Sequence, residues 1–248
     1  MKLYVGTSGY SYRHWFDVFY PEDLSKYKLL EFYAEHFNTV ELNVTFYRIP
    51  KESTFKSWYK RTPDNFAFAV KANRRLTHLK RLNVKEDDVK GFMEIIGLLK
   101  EKLAVVLWQL PPSFKKDTDK LVNLLEILKG YNVKYVFEFR NQTWLDKETC
   151  SILKDFGATL CISDWPFHIE PATEFDFYYI RRHGAEGDAP FSRSYTDEEI
   201  KEDARLVSDL LKKDKEVFVF FNNDTEGFAV KNAQRLKEEV LNLCPELA

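Results

Sequence analysis

Long apolar runs are missing from this chain: no stretch approaches the ~20 consecutive apolar residues that a membrane-spanning helix needs, which excludes a helical membrane protein. The first apolar run opens at Leu3, too early for a secretory leader, so the expectation is a cytoplasmic protein with no membrane partner. Cysteine is scarce and odd in number. Cys150, Cys161 and Cys244 show no metal spacing, their odd number fits reduced thiols, and buried thiols are expected. Histidine is also scarce, with five residues, which argues against a cluster of several zinc ions. Glycine and proline number nine each in 248 residues, too few for a linker or a low-complexity segment, and one domain over 1–248 is expected. Excess charge is absent as well. Thirty-seven basic residues against 39 acidic ones leave a net charge of −2, so any attraction for an anion has to be local.

What is present is a rhythm. Eight short runs rich in β-branched and aromatic residues occupy 3–6, 39–42, 66–70, 103–107, 135–139, 159–163, 177–180 and 217–221. Between most of them apolar residues recur at three and four, as in Phe92, Ile95, Ile96 and Leu99, or Leu121, Leu124, Leu125 and Leu128, which is the spacing of one helix face. Strands alternating with helices imply parallel pairing, and eight such units in a chain of this length predict an α/β fold, a (β/α)8 TIM-type barrel. The crossover between strands six and seven, with Pro166 and Pro171 inside it, is too short and too broken for a helix and is expected to be a loop.

Chemistry in such barrels gathers at the C-terminal ends of the strands. Side chains two apart share a face of a strand, and that parity groups Glu41 with Asn43, Lys71 with Asn73, Glu138 with Arg140, and Asn222 with Asp224. Gln109 follows strand four, Asp164 follows strand six, and Arg182 and His183 follow strand seven. Glu41, Glu138 and His183 are the candidate catalytic residues, because a carboxylate or an imidazole can carry a proton. The loop after strand one adds Ser8, Tyr10 and Trp15, and Tyr47 adds another ring, as surfaces for stacking a base or a sugar. The segment 71–85 carries Lys71, Arg74, Arg75, Lys80, Arg81 and Lys85 without an acid, and with His78 it marks a place for an anion. The expected substrate-binding set is therefore Ser8, Tyr10, Trp15, Asn43, Tyr47, Lys71, Asn73, Arg75, His78, Gln109, Arg140, Arg182 and Asn222. If a divalent metal takes part, Asp164 and Asp224 with Glu138 and His183 are the expected ligands, for one Mg2+ or Mn2+.

Linear motifs add a resemblance. GTSGYSYRHW at 6–15, FYP at 19–21, YAEHFNTVELNVTFYRIP at 33–50, FAVKANRRLTH at 68–78, LWQLPPSF at 107–114, FEFRNQTW at 137–144 and FFNNDTEGFAVKNA at 220–233 run in order along the chain. Together they resemble the family of domain of unknown function 72, the YecE-like proteins. The resemblance implies a (β/α) barrel and supplies no activity. After Arg182-His183-Gly184 the chain departs from the family pattern, since 191–195 reads FSRSY, without the glycine of the family's Tyr-Ser stretch.

The residues favour an enzyme acting on a phosphate-bearing substrate, a nucleic acid or a nucleotide, by metal-assisted hydrolysis of a phosphoester. Barrel nucleases that cut at damaged sites offer an analogy at the level of fold alone. A carbohydrate-active hydrolase or isomerase is the first alternative, since two carboxylates and abundant aromatics serve sugars too. A module that binds an anionic small molecule or nucleic acid without turnover is the second.

Overall fold

A computed structural model describes residues 2–169, 174–185 and 191–247. The strands are β1 (Lys2–Thr7), β2 (Thr39–Leu42), β3 (Ala67–Lys71), β4 (Leu103–Gln109), β5 (Lys134–Glu138), β6 (Thr159–Ser163), β7 (Phe177–Arg182) and β8 (Glu216–Phe221). Their order in the sheet is β1-β8-β7-β6-β5-β4-β3-β2, and the registers of β1 with β8, β7 with β8, β3 with β4, β4 with β5 and β5 with β6 are all parallel. The helices are α1 (Leu29–His36), α2 (Val44–Tyr47), α3 (Glu52–Lys60), α4 (Glu86–Ile96), α5 (Thr118–Leu128), α6 (Lys147–Asp155), α7 (Asp197–Lys212) and α8 (Phe228–Leu243). Among the described residues helices thus follow every strand except β6, and the fold is an α/β (β/α)8 TIM-type barrel. Between β6 and β7 the described residues 164–169 and 174–176 contain no helix, as the two prolines foretell; Pro171 itself lies outside the described residues.

The chain divides into two compact units, one of Met1–Glu41, Ile162–Ile169 and Asp176–Ala248, the other of Leu42–Cys161 and Glu170–Phe175. In the first, α7 starts at a capping box in which Thr196 and Glu199 satisfy each other's backbone N–H. Its apolar stripe, Ile200, Ala204, Val207 and Leu211, is buried. The backbone of β1 passes so close to β2 that a Cβ on Gly6 would lie 2.2 Å from the Thr39 carbonyl oxygen, so only glycine fits there. Tyr33 bridges the same two strands, accepting from the Thr7 N–H at 2.9 Å and donating to the Thr39 carbonyl at 3.0 Å.

In the second unit, side-chain caps start α5 and α6: Asp117 accepts from the Lys120 N–H, and Asp146 from the Thr149 N–H. The basic segment after β3 is not a plain loop. It forms a π-helical turn, Arg75–Leu79, followed by positive φ at Arg81 (48°) and Leu82 (60°). Such turns and left-handed residues cost roughly 1–3 kcal/mol apiece and concentrate where a backbone has been bent for a purpose. Cys150, Cys161 and Cys244 are buried free thiols, as expected. Among the described residues no helix is long and apolar enough to cross a membrane.

Candidate functional site

In the first unit the expected residues draw together around Glu41, which is completely buried. Parallel pairing sets Glu41 beside Ser8, whose hydroxyl donates to Oε1 at 2.7 Å. Tyr179 and Arg181 alternate along β7 onto the same face. The tyrosine donates to Oε2 at 2.6 Å, and the guanidinium clamps both oxygens, Nε to Oε2 and Nη2 to Oε1, each at 2.9 Å. Burial alone would raise the pKa of Glu41. Arg181 and the hydrogen bonds from Tyr179 and Ser8 outweigh it and hold the carboxyl below the usual range. A carboxylate held that firmly does not shuttle protons; it fixes Arg181.

His183 continues the chain of contacts. Arg181 Nη1 lies 3.2 Å from His183 Nε2, and because a guanidinium only donates, Nε2 is the acceptor. The proton then sits on Nδ1, which faces Asp164 Oδ1 at 3.2 Å, while the His183 backbone N–H donates to the same oxygen at 2.9 Å. The other oxygen of Asp164 accepts from the Tyr195 hydroxyl, which itself accepts from the Gly184 N–H at 2.6 Å. Burial would raise Asp164, but His183 and Tyr195 outweigh it and keep the carboxyl ionised well below its ordinary range. Gly184 has φ of 57°, and a Cβ there would lie 2.6 Å from both the Arg193 carbonyl oxygen and Asn223 Cβ. That close approach requires the glycine of Arg182-His183-Gly184. Within the 185–195 loop, residues 186–190 lie outside the described residues.

Arg182 departs from expectation. It points to the opposite face of β7 and pairs with Asp203 of α7 through two hydrogen bonds, Nε donating at 2.7 Å and Nη2 to the second oxygen. It is buried and holds a helix to the sheet, so its substrate-binding assignment is corrected, and Arg181 is the arginine on the face of β7 that carries Tyr179. Trp15 is corrected too. Its ring is fully buried against Tyr12, Phe19 and Tyr20, and its Nε1 donates to Asp224 Oδ1 at 2.7 Å. Tyr10 is half-buried beside Tyr33, with its carbonyl accepting from Tyr20. Asn222 is half-buried; its backbone N–H donates to the Arg182 carbonyl at 2.7 Å, and its side chain makes no hydrogen bond among the described residues.

The expected metal ligands each hold other partners. Asp164 is committed to His183 and Tyr195, Glu138 to Arg140, and Asp224 to Trp15 and to His14 Nε2 at 3.2 Å. Among the described residues no three His, Cys, Asp or Glu side chains gather closely enough to hold an ion. The set does not fit a resident Mg2+ or Mn2+.

In the second unit the end of β3 carries a different arrangement. Lys71 Nζ lies 4.5 Å above the Phe46 ring, and the His78 ring meets Phe46 nearly at right angles with centroids 4.8 Å apart. Thr77 Oγ1 lies 2.9 Å from His78 Nδ1. Arg140, at the end of β5, donates from Nε (3.0 Å) and Nη2 (2.9 Å) to one oxygen of buried Glu138. Burial first, then the charges of Lys71, Arg140 and Arg74, push His78 down to about 4, with Glu138 pulling the other way. The imidazole is therefore neutral in a field of cations. Asn73 donates to the Thr45 carbonyl at 2.8 Å and caps the turn by accepting from the Arg75 N–H at 2.9 Å. Asn43 is half-buried at the start of α2, Gln109 is buried with its amide on the Leu110 carbonyl, and Tyr47 is 71% exposed.

Part of the basic segment is neutralised from outside it. Asp88, in the first turn of α4, pairs with Lys80 at 2.5 Å and with Arg75 at 3.7 Å, and accepts from the Lys85 N–H at 3.1 Å. Arg75 stays largely exposed.

Comparison with known proteins bears on the whole chain. A family model described as "Protein of unknown function DUF72" matches residues 4–245. The chain is 27% identical to UPF0759 protein YunF of Bacillus subtilis across 95% of its own length and 94% of that protein's. It is 29% identical to UPF0759 protein YecE of Escherichia coli across 58% of this chain and 51% of that one. The crystal structure of a DUF72 family protein from Thermotoga maritima superimposes with a TM-score of 0.83 at 35% identity, covering 96% of this chain and 98% of the other. A DUF72 family protein from Enterococcus faecalis, 21% identical with a TM-score of 0.82 over 96% of this chain and 95% of its own, shares the fold.

Proposed function

Since the chain belongs to the DUF72 family, whose description carries no reaction, we propose from side-chain geometry that it is an enzyme binding a phosphate-bearing substrate at the C-terminal ends of β3 and β5. One observation carries this reading: Lys71 and His78 both pack against Phe46, with Arg140 and Arg74 in electrostatic reach of the same imidazole. Cations around a half-buried imidazole favour an anion there, and a phosphate offers oxygens to each of them. His78, neutral at physiological pH, is the group to accept a proton. A bound phosphate offsets the neighbouring cations and lifts its basicity toward the ordinary imidazole value, so the base strengthens when the substrate arrives.

The carbohydrate alternative asks for a carboxyl that keeps its proton near neutrality. Glu41 is held below the usual range, and Glu138 carries Arg140 on one oxygen, which favours the phosphate reading. The test is calorimetric titration with inorganic phosphate, followed by turnover of aryl phosphate esters. Lys71→Ala should weaken phosphate binding about tenfold or more, the scale of one charge-assisted hydrogen bond. A wild-type protein that does not bind phosphate at all sinks the reading, and binding without any turnover reduces it to a binding module.

A further inference from the structure

The turn after β3 and the first half of α4 enclose a groove of about 350 Å3 that lies within the second unit. Its floor is apolar: Leu76 and Phe92 are buried, and Ile49 adds a half-exposed side chain to the lining. Small-molecule sites span roughly 300–1,000 Å3 and set a few polar groups around such a floor, so the groove suits a compact organic body.

Gly91 shows that the space is kept open. It lies inside α4, where glycine weakens a helix relative to alanine, and its φ is outside the left-handed region. A Cβ built on it meets nothing within 4 Å, so neither packing nor backbone geometry calls for glycine there. What a side chain at 91 would do is narrow the groove that Gly91 lines.

Two charged side chains of the lining stand ready for a ligand. Asp88 is not one of them, since it pairs with Lys80 at 2.5 Å and accepts from the Lys85 N–H at 3.1 Å. Arg75 is held loosely: its guanidinium reaches Asp88 only at 3.7 Å, beyond hydrogen-bond length, and donates no side-chain hydrogen bond among the described residues. Its backbone is fixed, with the N–H on Asn73 Oδ1 at 2.9 Å and Asn73 itself anchored on the Thr45 carbonyl at 2.8 Å, so the fork starts from a pinned base. Asp87 is exposed in the same lining and has neither an ion pair nor a side-chain hydrogen bond among the described residues. One guanidinium and one carboxylate over an apolar floor match a ligand that carries both signs. With Asp88 matched by Lys80, the two remaining charges cancel and favour neither a plain anion nor a plain cation.

We propose that the groove binds a small zwitterion, an α-amino acid with an apolar side chain, its carboxylate on Arg75, its ammonium on Asp87 and its side chain over Leu76 and Phe92. This goes beyond the phosphate reading and does not depend on it.

The test is calorimetric titration of the wild type with L-phenylalanine and L-leucine, and with analogues that each lack one feature: phenylpropionate without the amine, phenethylamine without the carboxylate, and glycine without the side chain. Phenylalanine or leucine should bind about tenfold more tightly than every analogue, the scale of one charge-assisted hydrogen bond or one buried side chain. Arg75→Gln should bring phenylalanine down to the affinity of phenethylamine, and Asp87→Asn to that of phenylpropionate. Gly91→Leu should abolish binding without lowering the melting temperature, because leucine is the better helix former. Binding of neither amino acid to the wild type overturns the proposal, as does binding that survives all three substitutions unchanged. Phenylpropionate or phenethylamine binding as tightly as phenylalanine overturns the zwitterion class.

Discussion

Around Glu41 the ionisable groups are hydrogen-bonded to one another, whereas around His78 Lys71, Arg140 and Arg74 push the imidazole down and Glu138 pulls it up. Both regions lie at strand ends, and both are rich in the residue types that suggest catalysis. The difference lies in what surrounds each titratable group. Glu41 accepts from four donors, and Asp164 from His183 and Tyr195, an arrangement that fixes geometry at the cost of reactivity. Lys71 and His78 are half-buried and meet an aromatic ring in common.

The sharpest break of this comparison is Glu41→Gln. It leaves Arg181 buried without a counter-charge and should cost about 3–5 kcal/mol in urea unfolding; a loss under 1 kcal/mol would mean that the network is not structural. Next in size is Asp203→Asn, which strips Arg182 of its carboxylate on the other face of β7 and should cost about 3 kcal/mol by the same measurement. Neither substitution should alter phosphate affinity in the second unit.

Stability measured against pH separates the regions further. His78 is lowered from 6.5 to about 4 by folding, so the unfolded chain binds more protons between those values, and stability should rise with pH across that window. His78→Gln should flatten that rise. Glu41 and Asp164 are also lowered, so their contribution is complete above their ordinary values of 4.5 and 3.8 and is lost as the solution becomes more acidic still. A His78→Gln profile identical to that of the wild type from pH 4 to 6.5 would show the imidazole to be unperturbed. The smallest stability effect is expected for Lys71→Ala. Loss of its contact with Phe46 is worth about 0.5–1 kcal/mol in thermal unfolding, alongside the much larger loss of phosphate binding.

Much of this architecture was legible in the sequence, because strand and helix periods depend on local burial alone. The runs at 39–42 and 159–163 coincide with β2 and β6, and the proline-broken crossover after β6 is helix-free in its described part. The site was legible in outline and misread in detail. Strand seven reads as ending at Ile180 on apolar character; it runs to Arg182, and once Arg181 is counted as strand, parity puts it with Tyr179 and His183. Asp203 had a signal too: it interrupts the buried stripe of Ile200, Ala204 and Val207, which an acid does only with a partner beneath it. The basic segment looked uncompensated because Asp88 follows where the count of cations stops. Trp15 could not be assigned from sequence, since a loop aromatic lines a pocket or fills a core with the same neighbours in the chain.

Two consecutive arginines on β7 point to opposite faces, one secured by Glu41 and the other by Asp203 of α7. During synthesis Glu41 emerges 140 residues ahead of Arg181 and must stay hydrated until its guanidinium exists. Strand seven is then the keystone of assembly: it seats only when an early acid and a later helix are both at hand, which ties closure of that region to the last third of translation.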